Sequence, residues 1–263
     1  MIIFNLELGR WLFAEILEEL DPLLAPSVRA GTEQGLAWQE EIGEATRLRL
    51  SELDPEVASV LDRRDPTVAD EISLFGAAYF IAEIFDRYDD AETAANWRAH
   101  NEDLGSVARR ACLRMRSALA KLLACDETTV DQISPSAAWA ALYSRWLFAG
   151  AIEPHSKELA DALRFADTDT VTWFNAVCER GLSRASDDDT SFAESLSITD
   201  NGSDLELSEQ MLAFHYIAGE VRASLDVELT IDDELARRVL ASLRESLGAI
   251  AMDSGSSVQV MDA

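Results

Sequence analysis

Two groups of carboxylates in this chain stand at spacings that a helix would turn into clusters. In EIFDRYDD, 83–90, Glu83, Asp86 and Asp90 follow one another at intervals of three and four. On a helix those intervals place all three side chains along one face, the side that also carries Tyr79. Oxygen ligands gathered on one face are what a magnesium ion takes. Asp89 and Asp90 also fall where the helical pattern ends, and acids there oppose the helix dipole. That local conflict favours a role for them, metal binding being one and plain solvation the other. The second group is WQEEIGEATRL, 38–48, with Glu40, Glu41 and Glu44. A divalent ion shared between the groups would activate a bound water.

The Glu40, Glu41, Glu44 pattern resembles the EExxE element of the MazG-like nucleotide pyrophosphohydrolases. These are helical enzymes that use clustered carboxylates and magnesium to hydrolyse nucleoside triphosphates. The family's second element is ExxD on a following helix. Asp70-Glu71 lies at a suitable distance, but Leu74 stands where the aspartate belongs. Glu83 with Asp86 restores ExxD at a wider separation than the family shows. The resemblance covers about a fifth of the chain. It implies magnesium held by Glu40, Glu41, Glu44, Glu83 and Asp86, with Arg110 or Arg114 steadying phosphate.

Those arginines belong to SVARRACLRMRSALAKLLAC, 106–125, which carries five cations and no acid. On a helical wheel Ala108, Ala111, Cys112, Met115, Ala118, Leu119, Leu122 and Leu123 fill an apolar arc of about 140°. Arg110, Arg114 and Lys121 line one border of the arc; Arg109 and Arg116 line the other. Cations so placed lay their stems over a core and reach acids on adjacent helices. The other use of Arg110, Arg114 and Lys121 is an anion site, converging on phosphate or on a partner's acidic patch.

Several chemistries find no support. There is no HExxH, ExxH, GxSxG, P-loop or GxGxxG. His100, His155 and His215 stand apart, and His215 in MLAFHYIAG reads as a hydrogen-bonded core residue. Cys112, Cys125 and Cys178 form no CxxC pair and read as free thiols. The six tryptophans all fall in helical segments and read as core.

Charge narrows the partners. The chain holds 49 acids against 22 basic residues, a formal charge of −27, and all its cations but Lys121 and Lys157 are arginines. Such a surface repels phosphate, which argues against direct nucleic-acid binding. It suits either solvation in concentrated salt or a basic protein partner. The longest uncharged run, 72–82, is short of the ~20 residues that a membrane helix needs. MIIFNLELGRW lacks a basic leader, so a cytoplasmic location is expected.

The elements that must position these groups are helices. Helical periods run over 4–20, 27–52, 56–63, 67–88, 91–124 with a break near Gly105, 136–149, 155–166 and 169–184. The prolines fall at their starts, Asp21-Pro22, Asp54-Pro55, Asp65-Pro66 and Ser134-Pro135 each placing a capping oxygen before the proline. The uncharged stretch Ile72–Ala82 should make 67–88 the central, buried helix. After Ser183 the texture changes: Leu196 and Ile198 alternate, Asp200-Asn201-Gly202-Ser203 turns, and Leu205 and Leu207 alternate again, which predicts a hairpin. LDVELTI, 225–231, predicts a third strand. The expected fold is therefore mainly α, a multi-helix array with a small C-terminal β-hairpin or three-stranded element. The expected regions are a helical domain at 1–183, a smaller α+β region at 184–253 and a loose tail at 254–263. The function expected is non-enzymatic: an acidic helical protein that binds a protein partner as adaptor, assembly subunit or inhibitor, needing no cofactor. The alternative is the magnesium-dependent phosphoanhydride hydrolase.

Overall fold

A computed structural model describes residues 2–53, 55, 70–100, 104–125, 135–198 and 207–258. Among them the ordered elements are twelve helices: α1 Ile2–Leu20, α2 Ala25–Ala30, α3 Glu33–Leu53, α4 Asp70–Arg87, α5 Ala91–His100, α6 Leu104–Leu123, α7 Pro135–Ile152, α8 Lys157–Arg164, α9 Thr168–Asp188, α10 Thr190–Ile198, α11 Leu207–Leu225 and α12 Asp233–Val258. No helix among the described residues is long and apolar enough to cross a membrane. The chain divides into two compact units, one made of Met1–Ala118 with Arg244–Ala263, the other of Leu119–Leu243.

The expected helical array is present, and among the described residues the expected β element is not. Leu196 and Ile198 lie in α10, and Leu207 opens α11. The turn residues Asp200–Ser203 lie outside the described residues. Residues 227–232 lie in no helix or strand. Alternation over two or three leucines was too short a signal: Leu196 packs with Phe192 and Ala213 in a helical cluster, and tertiary packing overrides so weak a strand preference.

In the first unit, α1 buries Trp11, Ala14 and Leu17, and α3 buries Trp38, Ile42, Thr46 and Leu50 at a strict spacing of four. That single ridge faces inward while the rest of α3 carries charge. On α4, residues 76–82 are all buried or half-buried, as the uncharged sequence predicts, and burial continues over residues 83–86. The ring of Phe80 stacks on Phe13 of α1 at 4.0 Å. Helices α2 and α3 cross so closely that a Cβ on Gly35 would lie 2.2 Å from the Ser27 carbonyl oxygen.

In the second unit, α7 is mostly apolar, with Trp139, Leu142, Trp146 and Phe148 enclosed. The Phe148 ring meets Phe214 at 4.9 Å and Phe174 at 5.4 Å. Helix α9 lays Phe174, Val177, Gly181 and Ala185 against α11. Arg145, on α7, is buried, and burial holds its pKa below the ordinary value. Its Nη2 donates to the carbonyls of Leu122 and Arg164, in the last turns of α6 and α8. Those carbonyls have no partner within their own helices, and a guanidinium there also meets the negative dipole ends. His215 corrects the expectation of a core residue: it is exposed, its ring edge-on to Tyr216.

Helix ends follow side-chain chemistry more than proline position. Asp21 accepts the Leu24 N–H through Oδ1 at 3.0 Å, the Asp167 carboxylate accepts the Thr170 N–H at 3.1 Å, and Asp189 accepts that of Phe192 at 3.1 Å. Ser156, two residues after Pro154, caps α8. The caps Asp90, Asp167 and Asp189 all have pKa values below the ordinary one: a backbone hydrogen bond to Thr93 or Thr170 leads for the first two, the Ser191 hydroxyl for the third. Depressed folded-state values make their contribution complete above about pH 4, near the free aspartate value. That contribution is lost as the pH falls through the folded-state values. Thermal melting between pH 5 and pH 2 should therefore show a falling midpoint, and Asp167→Asn, which keeps an acceptor, should fall less steeply than the parent.

Four non-glycine residues, Asp89, Ala124, Ala166 and Asp226, take φ between 52° and 60° just beyond a helix end. After each, the next N–H closes a wide turn onto the carbonyl five residues back, as from Asp90 to Phe85 and from Asp167 to Ala162. This is the left-handed C-terminal turn that glycine favours. An L-residue there costs about 1–2 kcal/mol, part of which glycine returns as unfolded-state entropy. Ala166→Gly should thus stabilise the protein by about 0.5–1 kcal/mol in urea unfolding.

Candidate functional site

The acids with the strongest case for chemistry are met by arginines. Glu83, buried on α4, and Asp86, one turn on, receive Arg49 from α3 and Arg98 from α5. Arg49 bonds Glu83 through Nε and reaches Asp86 with Nη2 at 3.1 Å. Arg98 bonds Asp86 and reaches Glu83 Oε1 with the same Nη2 at 3.2 Å. Two carboxylates against two guanidiniums make a neutral, charge-assisted network. The hydrogen bond to Glu83 leads in holding the Arg49 pKa above its ordinary value.

The rest of the proposed ligand set disperses. Asp90 lies beyond α4: Asp89 takes the left-handed turn, and Asp90 Oδ1 accepts the Thr93 N–H at 3.0 Å as the cap of α5. This removes the helix-dipole conflict, because the acid sits at the positive end of the next helix. Glu41 is exposed and takes a two-point contact from Arg87, at 2.7 and 2.9 Å. Glu40 and Glu44 are exposed on α3. Nearby, the Tyr88 hydroxyl donates to Asp21 at 3.0 Å; burial first, then Asp21, pushes its pKa up to about 12. Magnesium does not fit this set: the enclosed carboxylates already have cationic partners, and the remaining glutamates face outward. No group of three metal-ligating side chains converges among the described residues.

The basic helix is α6. Val107, Ala111, Met115, Ala118, Leu119 and Leu122 are buried, while Cys112, assigned to the same stripe, is exposed. Arg114 Nε lies 3.1 Å from Glu15 Oε1, and its Nη1 bonds Glu18. Arg29 joins them at 2.6 Å from Glu18 and lies 5.4 Å over the Trp11 ring. Burial raises the pKa of Glu15, with Arg114 opposing. Burial also acts on Glu18, but hydrogen bonds from Arg114 and Arg29 hold its pKa below the ordinary value. Arg114 is thus a pairing residue. Arg110 is exposed at the edge of Glu15's field, and Lys121 is exposed in the last turn.

One cluster was not anticipated in the sequence. Glu7, fully buried on α1, bonds Arg10 one turn along, and its Oε1 accepts from Arg244 of α12 at 2.9 and 2.5 Å. Its second oxygen has no hydrogen-bond partner among the described residues. Glu7, Arg10 and Glu15 all interrupt an otherwise apolar helix, a signal that sequence alone offered. The partners Arg29 and Arg244 come from distant segments and gave none.

The second unit holds a cavity of about 450 Å³, whose lining includes Glu228, Asp232, Glu234, Arg238 and His155. Asp232 is committed there, its Oδ1 accepting the Leu235 N–H at 2.8 Å. None of the three cysteines is in a disulfide, and burial pushes the Cys178 thiol up to about 11. No family model matches the sequence, and no curated protein or solved structure matches the chain.

Proposed function

We propose that this protein acts by binding a protein partner through outward-facing acidic helical surfaces, as an adaptor, assembly subunit or inhibitor. One observation carries the reading: Arg49 and Arg98 neutralise the enclosed acids Glu83 and Asp86, while Glu40 and Glu44 of α3 stay exposed and form no salt bridge with described residues. The same pairing removes support from a magnesium-dependent hydrolase, whose metal would compete with two guanidiniums for the same oxygens. A formal charge of −27 favours a basic protein surface over nucleic acid.

The test is capture from the native host with tagged parent protein and a Glu40→Lys/Glu44→Lys variant, read by quantitative mass spectrometry. The reading expects a defined partner that the variant loses. Capture of nothing above the tag control, or capture indifferent to the charge reversal, would overturn it.

A further inference from the structure

The outer face of α3 has an order that solvation alone does not require. Leu36, Glu40, Glu44 and Leu48 recur every four residues, so they form one continuous ridge along the helix. All four are exposed, Leu36 at 43% and Leu48 at 61%. The ridge is acidic in its middle and apolar at both ends. It spans about 18 Å, twelve residues at the α-helical rise. The opposite pattern stands on α6. Leu113 is 44% exposed, and Arg109 and Arg110, four and three residues before it, flank it on the outer face. Arg109 and Arg110 form no salt bridge with described residues, and neither do Glu40 and Glu44. In a chain carrying 49 acids, this exposed arginine pair beside a leucine is the complement that the α3 ridge lacks.

We propose that a second copy of this chain is the occupant: α6 of one protomer docks on the α3 ridge of its partner. Arg109 and Arg110 then meet Glu40 and Glu44, while the exposed leucines cover one another. A two-fold axis repeats the contact, so that each protomer gives one basic and one acidic face. Whole-molecule repulsion opposes the pairing at low ionic strength, where screening extends to about 30 Å. Dimerisation is therefore expected to strengthen from 0.01 M to physiological salt. The inference rests on the partner-binding reading and names a partner for the same ridge.

Charge exchange tests it. The parent, Arg109→Glu/Arg110→Glu and Glu40→Lys/Glu44→Lys are each measured by sedimentation equilibrium at 0.01, 0.15 and 1 M potassium chloride. Each variant alone juxtaposes like charges and should dimerise about 100-fold or more weakly than the parent. Mixed one to one, the variants pair opposite charges at both contacts and should recover the parent's affinity as a heterodimer. That recovery also shows both variants to be folded. Leu113→Asp should weaken dimerisation of the parent without touching any charge in the exchange. A parent that stays monomeric at every salt, or a mixture that fails to recover, overturns the proposal. A host protein lost by the lysine variant under either outcome would still uphold partner binding, so the two readings fail separately.

Discussion

Glu7→Gln should destabilise the protein by about 3–5 kcal/mol, because it leaves two guanidiniums enclosed without their counter-charge. The Glu7 side chain is fully buried, and Arg10 and Arg244 both depend on its Oε1. Burial already holds the Arg10 pKa below its ordinary value despite Glu7, so the site has no solvent to take over the lost interaction. Glu41→Gln supplies the contrast. It breaks an equally well-formed pair with Arg87, but both side chains are about half-exposed, so the loss should stay within about 1 kcal/mol. Urea unfolding followed by circular dichroism measures both. Similar losses for the two variants would show that burial of the Glu7 cluster does not set its worth.

Gly181→Ala should cost about 1–3 kcal/mol or more, through backbone collision rather than lost contact. A Cβ at this position would stand 2.8 Å from Ile217 Cα and 2.9 Å from its amide nitrogen. Backbone cannot rotate away, so α9 and α11 must separate. Gly219, on α11 itself, has open space around its Cβ position. Gly219→Ala should instead stabilise by about 0.5–1 kcal/mol, the ordinary helix preference for alanine. Opposite signs from one substitution at two helical glycines are expected in thermal melting. Two stabilising results would mean that α9 and α11 do not pack as described.

The sequence revealed elements better than partners. Helical periods and capping residues announced α1, α3, α4, α6, α7 and α9, because each records a local periodicity that burial then uses. The ridge at Trp38, Ile42, Thr46 and Leu50 is such a record. The hairpin failed because Leu196 and Ile198 fit helix α10 as well as a strand, and what separates the two is contact with Phe192 and Ala213. The Glu83–Asp86 pair was visible as a face, since spacing alone fixes it. Its partners were not, since Arg49 and Arg98 are brought there by the packing of α3 and α5 on α4. Asp90 was read both as part of the Glu83–Asp86 face and as a residue at the helix end; the left-handed turn at Asp89, which the sequence does not announce, makes it the cap of α5. Of the two uses that the sequence left open for Arg114, the pairing with acids is the one whose partners the structure names, Glu15 and Glu18.

The most direct test of the account is whether Glu83 and Asp86 belong to arginine or to magnesium. Thermal melting of the parent and of Glu83→Gln is followed through a magnesium titration, against potassium chloride at matched ionic strength, with phosphate release measured across common nucleoside triphosphates. The account predicts no magnesium-specific rise in the parent's melting temperature, no nucleotide turnover, and a lower melting temperature for Glu83→Gln at every magnesium concentration. A magnesium-specific rise that Glu83→Gln abolishes together with phosphate release would contradict it.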